Sequence, residues 1–487
     1  MAHPMSVSFL GTSSGGGPTE NRNCSSLICD FLGGNNNLWM VDCAEGTTRQ
    51  FALQPNRQNA SRLKMSQVSK LFVTHMHADH IMGITTFLRN ILGAPRIDSP
   101  PPASNAISHR RAPIIQIYGP SGLRSFLRQN LKMTFTRCEN TYVVHELLCK
   151  DDPVIPCNPP VDEHDPMSGS DFKDWDVLHC SEVPGRDIRA DDQGLWRDIA
   201  PDTHSRRATQ IQIHASPILH REPCIGYVFN EISYPKRKVV ILGDTCDPSP
   251  IIPLCSNPRP SLLIHEATDS TISPETDDAG RLSKRQLPDV MKTTLARGHS
   301  TTSMAGEFAK LVNAQMLVLN HIGSRFPAPR INDNGQISFA RRVLEDLERH
   351  ATNAWDPPLG SAAHERNKYL DVEPCVFFDF SLCCRSILCC NINTLARSIF
   401  DCGIGHVKFS VFKPTKPKRK IDNALPDEVR ESSKNPRRRR QRQNRQANTH
   451  TSNDEGGTNT QPHAHARDHD VHSSTSRSRR HWRPRKT

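Results

Sequence analysis

Short runs of apolar residues recur through the first two thirds of the chain, and most of them stop at a polar or glycine-rich loop. Runs of this length, with alternating or continuous apolar positions, are typical of β-strands. They predict strands at Ser6–Leu10, Cys24–Phe31, Leu38–Cys43, Lys70–Thr74, Ile114–Tyr118, Thr209–His214, Lys238–Leu242, Ser261–Ile264 and Met316–Leu319.

Apolar positions spaced three and four residues apart lie between several of these strands. This spacing predicts helices at Gly83–Leu92, Gly122–Leu131 and Met304–Asn313, and Ser121 is a candidate N-cap for the second helix. Strands therefore alternate with helices, and polar loops follow the strands. The pattern indicates a layered α/β domain whose functional groups lie at strand ends.

Other segments lack this regular pattern. Residues 98–111 are rich in Pro and Ser, which predicts a surface loop, and residues 151–207 form a polar, Pro-rich insertion. The predicted organisation is a catalytic domain over residues 1–350 and an irregular Cys-rich extension over 351–412. The cysteines of the extension come as adjacent pairs, without zinc-finger spacing, so a second metal site is not favoured.

Composition and charge single out the C-terminal tail. Apolar residues make up 36% of the chain, which is low for a fully globular protein. Residues 413–487 contain 20 Lys/Arg and 8 Asp/Glu, so they account for the net charge of +11, and the rest is nearly neutral. We expect this tail to be disordered and to supply any long-range attraction to nucleic acid.

The basic tail and the cysteine usage also bear on location. Two basic clusters, 418–420 and 437–440, resemble a bipartite nuclear localisation signal, although a merely solvated tail explains them equally well. The 16 cysteines have no disulfide-framework spacing, which fits reduced thiols. No apolar run is long enough to span a bilayer. These features predict a protein of the nucleus, with the cytoplasm as a second location, and no membrane partner.

The densest group of candidate ligands follows the predicted strand Lys70–Thr74. The segment Thr74–His80 reads THMHADH, an HxHxDH motif with four potential metal ligands within six residues. On a loop, His75 and His77 can point to one ion while Asp79 and His80 turn towards a second. Zinc accepts imidazole nitrogen and carboxylate oxygen, so the motif favours a metal site over a chance cluster of surface histidines.

Three later residues can complete a two-ion site. Asp244 and His321 each end a predicted strand, and His220 lies shortly before Gly226-Tyr227. Two ions about 3.5–4 Å apart need a bridging anion, which a carboxylate such as Asp244 can supply. Each residue alone would more often be structural, so the argument rests on the joint pattern.

Two further residues have the chemistry of a proton-transfer pair. Glu266 lies in the segment His265–Thr268 (HEAT), and His299 lies in Gly298–Thr301 (GHST). A carboxylate paired with an imidazole can orient the ring and let it protonate a leaving oxygen. The alternative is an N-cap Ser beside a hydrogen-bonded core His.

Ten segments between Ser6 and Phe326 together resemble short-form ribonuclease Z, the tRNA 3′-processing endonuclease family. HxHxDH alone indicates only a superfamily, but the HEAT, GHST and NHIGSRF segments are more selective. The segments are SFLGTSSGG, VDCAEGT, THMHADH, YGPSGL, YVVHEL, LHREPCIGY, LGDT, IHEAT, GHSTTSMAGEFAKL and LVLNHIGSRF. The resemblance implies the metallo-β-lactamase fold, an αβ/βα sandwich of two mixed β-sheets covered by helices.

The resemblance also implies a cofactor and residue roles. Asp79 would steer the attacking hydroxide as general base, and Glu266 with His299 would form the proton-donating pair. Two Zn²⁺ per subunit would be held by His75, His77 and His220 on one side, by Asp79, His80 and His321 on the other, and by Asp244 between them.

Substrate contacts follow from the same resemblance, with two departures. Pro18, Arg22 and Asn23 match the family's PxKxRN loop, but Glu20 stands where Lys is usual; Arg325, beside His321, is a candidate phosphate contact. The long arm that grips tRNA in many members does not fit into residues 228–238. We hypothesise that the basic tail compensates, because disordered Arg-rich segments can bind RNA backbones.

The implied function is removal of the 3′ trailer from precursor tRNA by a zinc-dependent endoribonuclease that is a homodimer, the usual state in the family. A small-substrate phosphodiesterase of the cyclic-nucleotide type is the main alternative. The missing arm favours that alternative, whereas the PxKxRN-like loop and the basic tail oppose it. A non-enzymatic RNA-binding protein with a relict metal site is the third possibility, but no ligand of the set is missing.

Overall fold

A computed structural model of the chain describes most of its first 357 residues. The described residues are 5–19, 22–33, 37–54, 62–95, 112–157, 178–200, 210–234, 236–328, 338–357 and two short later strands. All of them belong to one compact unit that runs to Pro414. The predicted loop at 98–111, most of the Cys-rich stretch and the tail from Lys413 lie outside the described residues.

Seventeen strands and eight α-helices form the described structure. The strands are β1 (Met5–Gly11), β2 (Ser13–Ser14), β3 (Ser26–Asp30), β4 (Leu38–Val41), β5 (Val68–Phe72), β6 (Ile115–Pro120), β7 (Tyr142–Leu148), β8 (Glu182–Val183), β9 (Asp187–Arg189), β10 (Ile211–Ile218), β11 (Cys224–Glu231), β12 (Lys238–Ile241), β13 (Leu262–Glu266), β14 (Leu317–Asn320), β15 (Ile322–Gly323), β16 (Arg397–Ser398) and β17 (Gly405–Phe409). The helices are α1 (Thr47–Leu53), α2 (Ala78–Ile81), α3 (Ile84–Leu92), α4 (Leu123–Met133), α5 (Ile252–Cys255), α6 (Leu287–Ala296), α7 (Thr302–Leu311) and α8 (Phe339–Trp355).

The strands build two large mixed sheets. Sheet 1 has the order β17-β1-β3-β4-β5-β6-β7-β8, and β9 also pairs with β7; its strands are antiparallel from β17 to β4 and parallel from there on. Sheet 2 has the order β10-β11-β12-β13-β14-β16 and becomes parallel after β12. β2 and β15 form a separate parallel pair.

An aromatic cluster joins the two sheets. The Phe72 ring of β5 lies 5.3 Å from the rings of Tyr118, Tyr227 and Phe229, measured between centroids, and 6.1 Å from that of Trp39. All five side chains are buried in one core that draws on both sheets. Aromatic pairs at these distances add to the stabilisation from buried apolar area, so this cluster holds the sheets face to face.

Helices cover the outer faces of both sheets. Leu71 lies beside Phe72 but belongs to a second core with α3 and α4, because successive side chains of a strand point to opposite faces. On sheet 2, the apolar sides of α7 and α8 bury Leu317 and Leu319 in a third core. The layers therefore form the αβ/βα sandwich that the family resemblance implied.

All nine predicted strands and all three predicted helices are present, with ends that shift by a few residues. The N-cap prediction is wrong: Gly122, with a φ of 91°, precedes α4, and the Ser121 hydroxyl donates to the Pro153 carbonyl oxygen. β7, β11, α6 and α8 were not predicted. Among the described residues, no helix is long and apolar enough to cross a membrane.

The insertion at 151–207 contributes to the core where it is described. β8 and β9 extend sheet 1 beside β7, and buried Trp196 donates from its indole N–H to the Leu148 carbonyl oxygen. Beyond residue 357, the structure describes two short strands: β16 pairs with β14, and β17 pairs with β1.

We expect His145 to make the folded state sensitive to mild acid. It is 8% exposed, stacks on Tyr118, and among the described residues its Nδ1 has no hydrogen-bond partner. Burial, together with the charges of nearby cations, lowers the pKa of His145 to about 3. In the unfolded chain, His145 binds a proton near the usual histidine pKa of about 6.5. The folded state, which keeps the ring neutral, is therefore at full stability above that pH and loses stability as the pH falls below it.

The test compares the wild type with His145→Phe, which keeps a ring on Tyr118, by urea unfolding of metal-free protein. From pH 7.5 to pH 5, the wild type should lose about 2 kcal/mol of unfolding free energy relative to the variant. An equal difference between the two proteins at both pH values would contradict this account of His145.

Candidate metal centre

Six loops meet at one edge of the sandwich. Four follow β5, β12, β13 and β14, one joins β10 to β11, and one joins α6 to α7; each contributes at least one polar side chain. Polar residues from these loops form three sets, and within each set the donor atoms lie within 4.8 Å of one another. The sets are His75, His77, His220 with Asp244; Asp79, His80 with His321; and Asp244, His299 with His321.

The HxHxDH segment divides its ligands between two sets because its backbone changes conformation at His77. His77 is extended, with φ −68° and ψ 148°, and the short helix α2 begins at Ala78. His75 and His77 precede this change and point to one side. Asp79 and His80 lie on α2 and group with His321 instead.

In the first set, imidazole nitrogens face one another at short distances. His77 Nδ1 lies 3.0 Å from His75 Nε2 and 3.4 Å from His220 Nε2. In the second set, His321 Nε2 lies 3.3 Å from His80 Nε2 and 3.4 Å from Asp79 Oδ2. Each set therefore presents several lone-pair atoms to one small volume, which is the arrangement of a metal site.

Asp244 lies between the two sets. Its Oδ2 is 3.6 Å from His75 Nε2, and its Oδ1 is 3.4 Å from His80 Nε2 and 3.3 Å from His321 Nε2. The two oxygens of one carboxylate therefore face different sets. A carboxylate in this position can bridge two cations.

The second nitrogen of four of these histidines is held by an outer partner. Such bonds fix the ring orientation and the tautomer, as is usual for metal-binding histidines. The pairs are His75 Nδ1 with Thr74 Oγ1 at 3.1 Å, His80 Nδ1 with Asp42 Oδ2 at 2.7 Å, His220 Nδ1 with the Gly298 carbonyl oxygen at 2.6 Å, and His321 Nδ1 with Thr268 Oγ1 at 2.9 Å.

Two of these residues have left-handed backbones. His321 has a φ of 53°, and Asp42 has a φ of 56°. Residues with side chains adopt this region at a cost, and such strain is concentrated at functional sites. This backbone conformation holds the Asp42 carboxylate against both Thr74 and His80. The carboxylate accepts from the Thr74 backbone N–H and hydroxyl, and it contacts His80 Nδ1.

The charge balance of the centre fits divalent cations. Asp42, Asp244 and Glu266 are buried, and Asp79 is largely so. Within the described part of the chain, the ion pairs of these four carboxylates are made with histidines and none with Lys or Arg. Buried carboxylates are costly unless cations accompany them, so the donor set fits two bound divalent ions.

The protonation states of four candidate ligands, His75, His77, His220 and Asp244, favour metal binding. Burial lowers the pKa of His75, His77 and His220, and neighbouring histidines lower the pKa of His75 further, so these rings are neutral at physiological pH. Burial alone would raise the pKa of Asp244, but His321, His80 and His75 hold it well below its usual range. Neutral imidazoles and an ionised carboxylate are the forms that bind metal.

Glu266 and His299 are in direct contact. Glu266 Oε1 lies 3.1 Å from His299 Nδ1 and accepts from the Thr245 backbone N–H, while its Oε2 accepts from the Thr268 hydroxyl. Burial lowers the pKa of His299, but the hydrogen bond and the charge of Glu266 outweigh it, so the net shift is upward. The pair can therefore keep a proton on His299 beside Asp244, 3.7 Å away.

Asp79 has a partner outside the cluster. Its Oδ2 accepts from the Gly15 backbone N–H at 2.6 Å, so the glycine-rich loop after β1 touches the second set. Burial raises the pKa of Asp79, but the hydrogen bond with His321 and the charges of His80 and His321 lower it more. Asp79 is therefore an ionised carboxylate with one oxygen fixed by the backbone.

The predicted substrate contacts differ in their exposure. Arg22 and Asn23 are buried, and the Arg22 guanidinium donates to the Phe326 carbonyl oxygen at 3.1 Å. Pro18 is exposed, whereas the partly exposed Arg325 lies 3.2 Å from Asp269. Arg22 and Asn23 thus brace the loop from inside, and a role of any of the four in binding substrate stays a prediction.

Sequence reasoning missed the groups that orient the ligands. Asp42 lies in the segment VDCAEGT directly after β4, and Thr268 ends the HEAT segment, but neither was singled out as a site residue. The signal for Asp42 was a polar residue after an apolar strand, the same signal that identified Asp244.

Comparison with known proteins identifies relatives over most of the described chain. The profile of a family described as Anti-Pycsar protein Apyc1 matches residues 5–92. Ribonuclease Z of Streptococcus uberis is 30% identical over 335 residues, which cover 66% of this chain and 90% of that protein. Ribonuclease Z of Prochlorococcus marinus is 29% identical over 340 residues, covering 66% and 89% respectively.

Among solved structures, the short form of human tRNase Z is 29% identical and is matched over 66% of this chain and 93% of its own, with a TM-score of 0.44. The S. uberis relative carries the assignment, because nearly its whole length is matched at 30% identity. The chain belongs to the ribonuclease Z family.

Proposed function

We propose that the protein is a metal-dependent endoribonuclease that removes the 3′ trailer from precursor tRNA by phosphodiester hydrolysis. The position of Asp244 is the observation that carries this proposal. Its carboxylate lies between two sets of imidazoles, and the Glu266–His299 pair lies directly beside it. Membership in the ribonuclease Z family supports precursor tRNA as the substrate.

The metal proposed is zinc, with two ions per subunit. The donors are imidazole nitrogens and carboxylate oxygens, which suit zinc better than magnesium or calcium. Two such ions, when bound, activate water as a nucleophile and neutralise negative charge on the phosphate. The residues proposed to hold them are His75, His77, His80, His220 and His321 with Asp79 and Asp244.

The remaining steps that we propose are proton transfers. Asp79, ionised and fixed by the Gly15 N–H, is placed to orient the attacking water and accept its proton. His299, kept protonated by Glu266, is placed to donate to the leaving oxygen. The Thr245 and Thr268 bonds hold Glu266 in position, so the imidazole keeps a defined direction.

A small phosphodiester is the second candidate substrate, and the connection after β11 favours it. β11 ends at Glu231 and β12 begins at Lys238, and the Arg237 guanidinium pairs with Glu231, so no tRNA-gripping arm lies between them. Parallel assays with precursor tRNA and a cyclic nucleotide separate the two candidates. Cleavage of the diester alone would refute the tRNA proposal.

Two predictions from the sequence remain predictions here. Homodimer formation can be checked by light scattering of the purified protein. Nuclear localisation depends on basic clusters that lie outside the described residues, and deletion of residues 413–487 tests both that role and RNA binding by the tail. An unchanged Michaelis constant for precursor tRNA after the deletion would refute the RNA-binding hypothesis.

We expect Asp244→Ala to abolish cleavage of precursor tRNA and to reduce bound zinc below two ions per subunit, because each oxygen faces a different set. Asp79→Ala should also abolish turnover. Metal content by plasma mass spectrometry and single-turnover cleavage measure the two effects. Asp278→Ala, an exposed carboxylate elsewhere, is the matched control. Near wild-type cleavage by Asp244→Ala would refute the two-metal assignment.

His299→Ala should reduce the cleavage rate by about 100-fold or more, since general acid catalysis contributes about that much. RNA affinity, measured by fluorescence anisotropy, should change little, because the ring is held by Glu266 and is mostly buried. Glu266→Gln should give a smaller loss of rate. A His299→Ala variant that loses affinity and rate in equal proportion would argue against the proton-donor role.

A further inference from the structure

The turn between β10 and β11 carries three exposed side chains that the chemistry above does not use. Ile218 pairs with Cys224 across the hairpin, so residues 219–223 form a tight connection that presents Arg221, Glu222 and Pro223 to solvent. The ligand His220 lies in the same turn. Any group recognised by these residues would therefore lie next to the metal centre.

This turn is firmly anchored. The Leu219 backbone N–H donates to the Asp247 carbonyl oxygen, and the Leu219 carbonyl oxygen accepts from the Cys246 N–H and the Thr245 hydroxyl. His220 is bound to the Gly298 carbonyl oxygen. The exposed residues thus keep a defined position relative to the site, as a binding element requires.

Arg221 lies over Gly298, between a metal ligand and the proton donor. A Cβ atom at Gly298 would lie 2.8 Å from the Arg221 backbone nitrogen and 3.0 Å from its Cγ. Burial is the main cause of the low pKa of His77, and the charge of Arg221 lowers it further; the same charge opposes the upward shift at His299. The guanidinium is therefore within electrostatic reach of both residues.

The Arg221 guanidinium also lacks a carboxylate partner among the residues that the structure describes. Arg221 is an exposed cation beside two prospective metal sites, so the local positive potential attracts an anion. Arginine binds phosphate oxygens in a bidentate manner, so a phosphate group of the substrate fits this position.

A cavity of about 430 Å³ adjoins the same turn. Its volume lies in the range of small-ligand pockets, and it can take a nucleobase. Met76, which lies between the ligands His75 and His77, and the rings of Pro120 and Pro223 supply apolar surface; His77, Ser121 and Glu222 complete the lining.

The two non-ligand polar groups of the cavity are both acceptors. The Ser121 hydroxyl donates its proton to the Pro153 carbonyl oxygen, which leaves its lone pairs available. The exposed Glu222 carboxylate has no hydrogen-bond or ion-pair partner within the described ranges. Acceptors recognise the exocyclic amino groups of cytosine, adenine or guanine, which uracil lacks.

We propose that Arg221 and this cavity form one nucleotide subsite beside the metal centre, in which Arg221 binds a phosphate and the cavity binds an adjoining base that has an exocyclic amino group. This subsite rests on the proposed RNA substrate. It gives the enzyme a base preference at a nucleotide next to the cut, without the missing arm.

The base preference is tested with zinc-loaded, full-length protein and precursor tRNAs that differ only by C or U on one side of the cut or on the other. At one of the two positions, C should give about tenfold higher kcat/KM than U. Glu222→Ala should reduce that ratio to below about twofold and leave the U substrate unaffected. Glu307→Ala, an exposed carboxylate on α7, should keep the ratio. Equal cleavage of C and U substrates by the wild type at both positions would overturn the base assignment.

The phosphate contact is tested separately. Arg221→Ala should lower kcat/KM for the C and U substrates by the same factor, about 30-fold or more, and Arg221→Lys should restore part of it. Arg89→Ala removes an equal charge from α3, where Arg89 lies near Cys138, and should have no effect. Wild-type cleavage by Arg221→Ala would overturn the phosphate assignment.

A binding measurement separates failure of the subsite from failure of the proposed function. Calorimetry with cytidine and uridine 5′-monophosphates needs no cleavage. Tighter binding of the cytidine nucleotide, abolished in Glu222→Ala, supports the subsite even if precursor tRNA is not cut. Equal binding of both nucleotides, together with normal cleavage of precursor tRNA, refutes the subsite and leaves the nuclease proposal standing.

Discussion

A single buried carboxylate, that of Asp244, lies between two sets of imidazoles, and each set combines residues from loops of both sheets. Asp244 follows β12 of sheet 2, whereas the HxHxDH loop follows β5 of sheet 1. The aromatic core around Phe72 sets how the sheets face each other, so it also sets the distance between these donors. Buried carboxylates without cations are costly, and a ligand that binds only the folded state stabilises it. Metal binding and the packing of the two sheets are therefore thermodynamically coupled.

The sequence predicted strands well where apolar residues are continuous, as in β5, β12 and β13. β7 was missed because His145 and Glu146 interrupt its pattern, although both are buried, and Glu146 pairs with buried Arg124. The pairing depends on α4 lying beside β7, which no local pattern shows. α8 could have been predicted, since the apolar residues Val343, Leu347 and Ala351 recur at helical spacing and are buried. The many charged residues around them obscured this pattern.

At the site, local density singled out the candidate ligands of the HxHxDH loop, and strand ends singled out Asp244 and His321, which the structure brings together with them. The contacts that orient these histidines could not be predicted, because they join distant parts of the chain. Asp42 and His80 are 38 residues apart, Thr268 and His321 are 53 residues apart, and His220 and Gly298 are 78 residues apart. Arg22 shows the converse problem. Its motif resembles a substrate-binding loop, yet the pattern could not reveal that the guanidinium is buried against a backbone carbonyl.

The two short strands after residue 390 have a consequence for the integrity of the sandwich. β17 lies along β1 at one border of sheet 1, and β16 lies along β14 at one border of sheet 2. Uncovered borders expose rows of backbone N–H and C=O groups, which can recruit strands from other molecules. A polypeptide shortened to the predicted catalytic domain would leave both borders open. Strand pairing by the segment beyond residue 350 thus satisfies backbone groups at both borders of the sandwich.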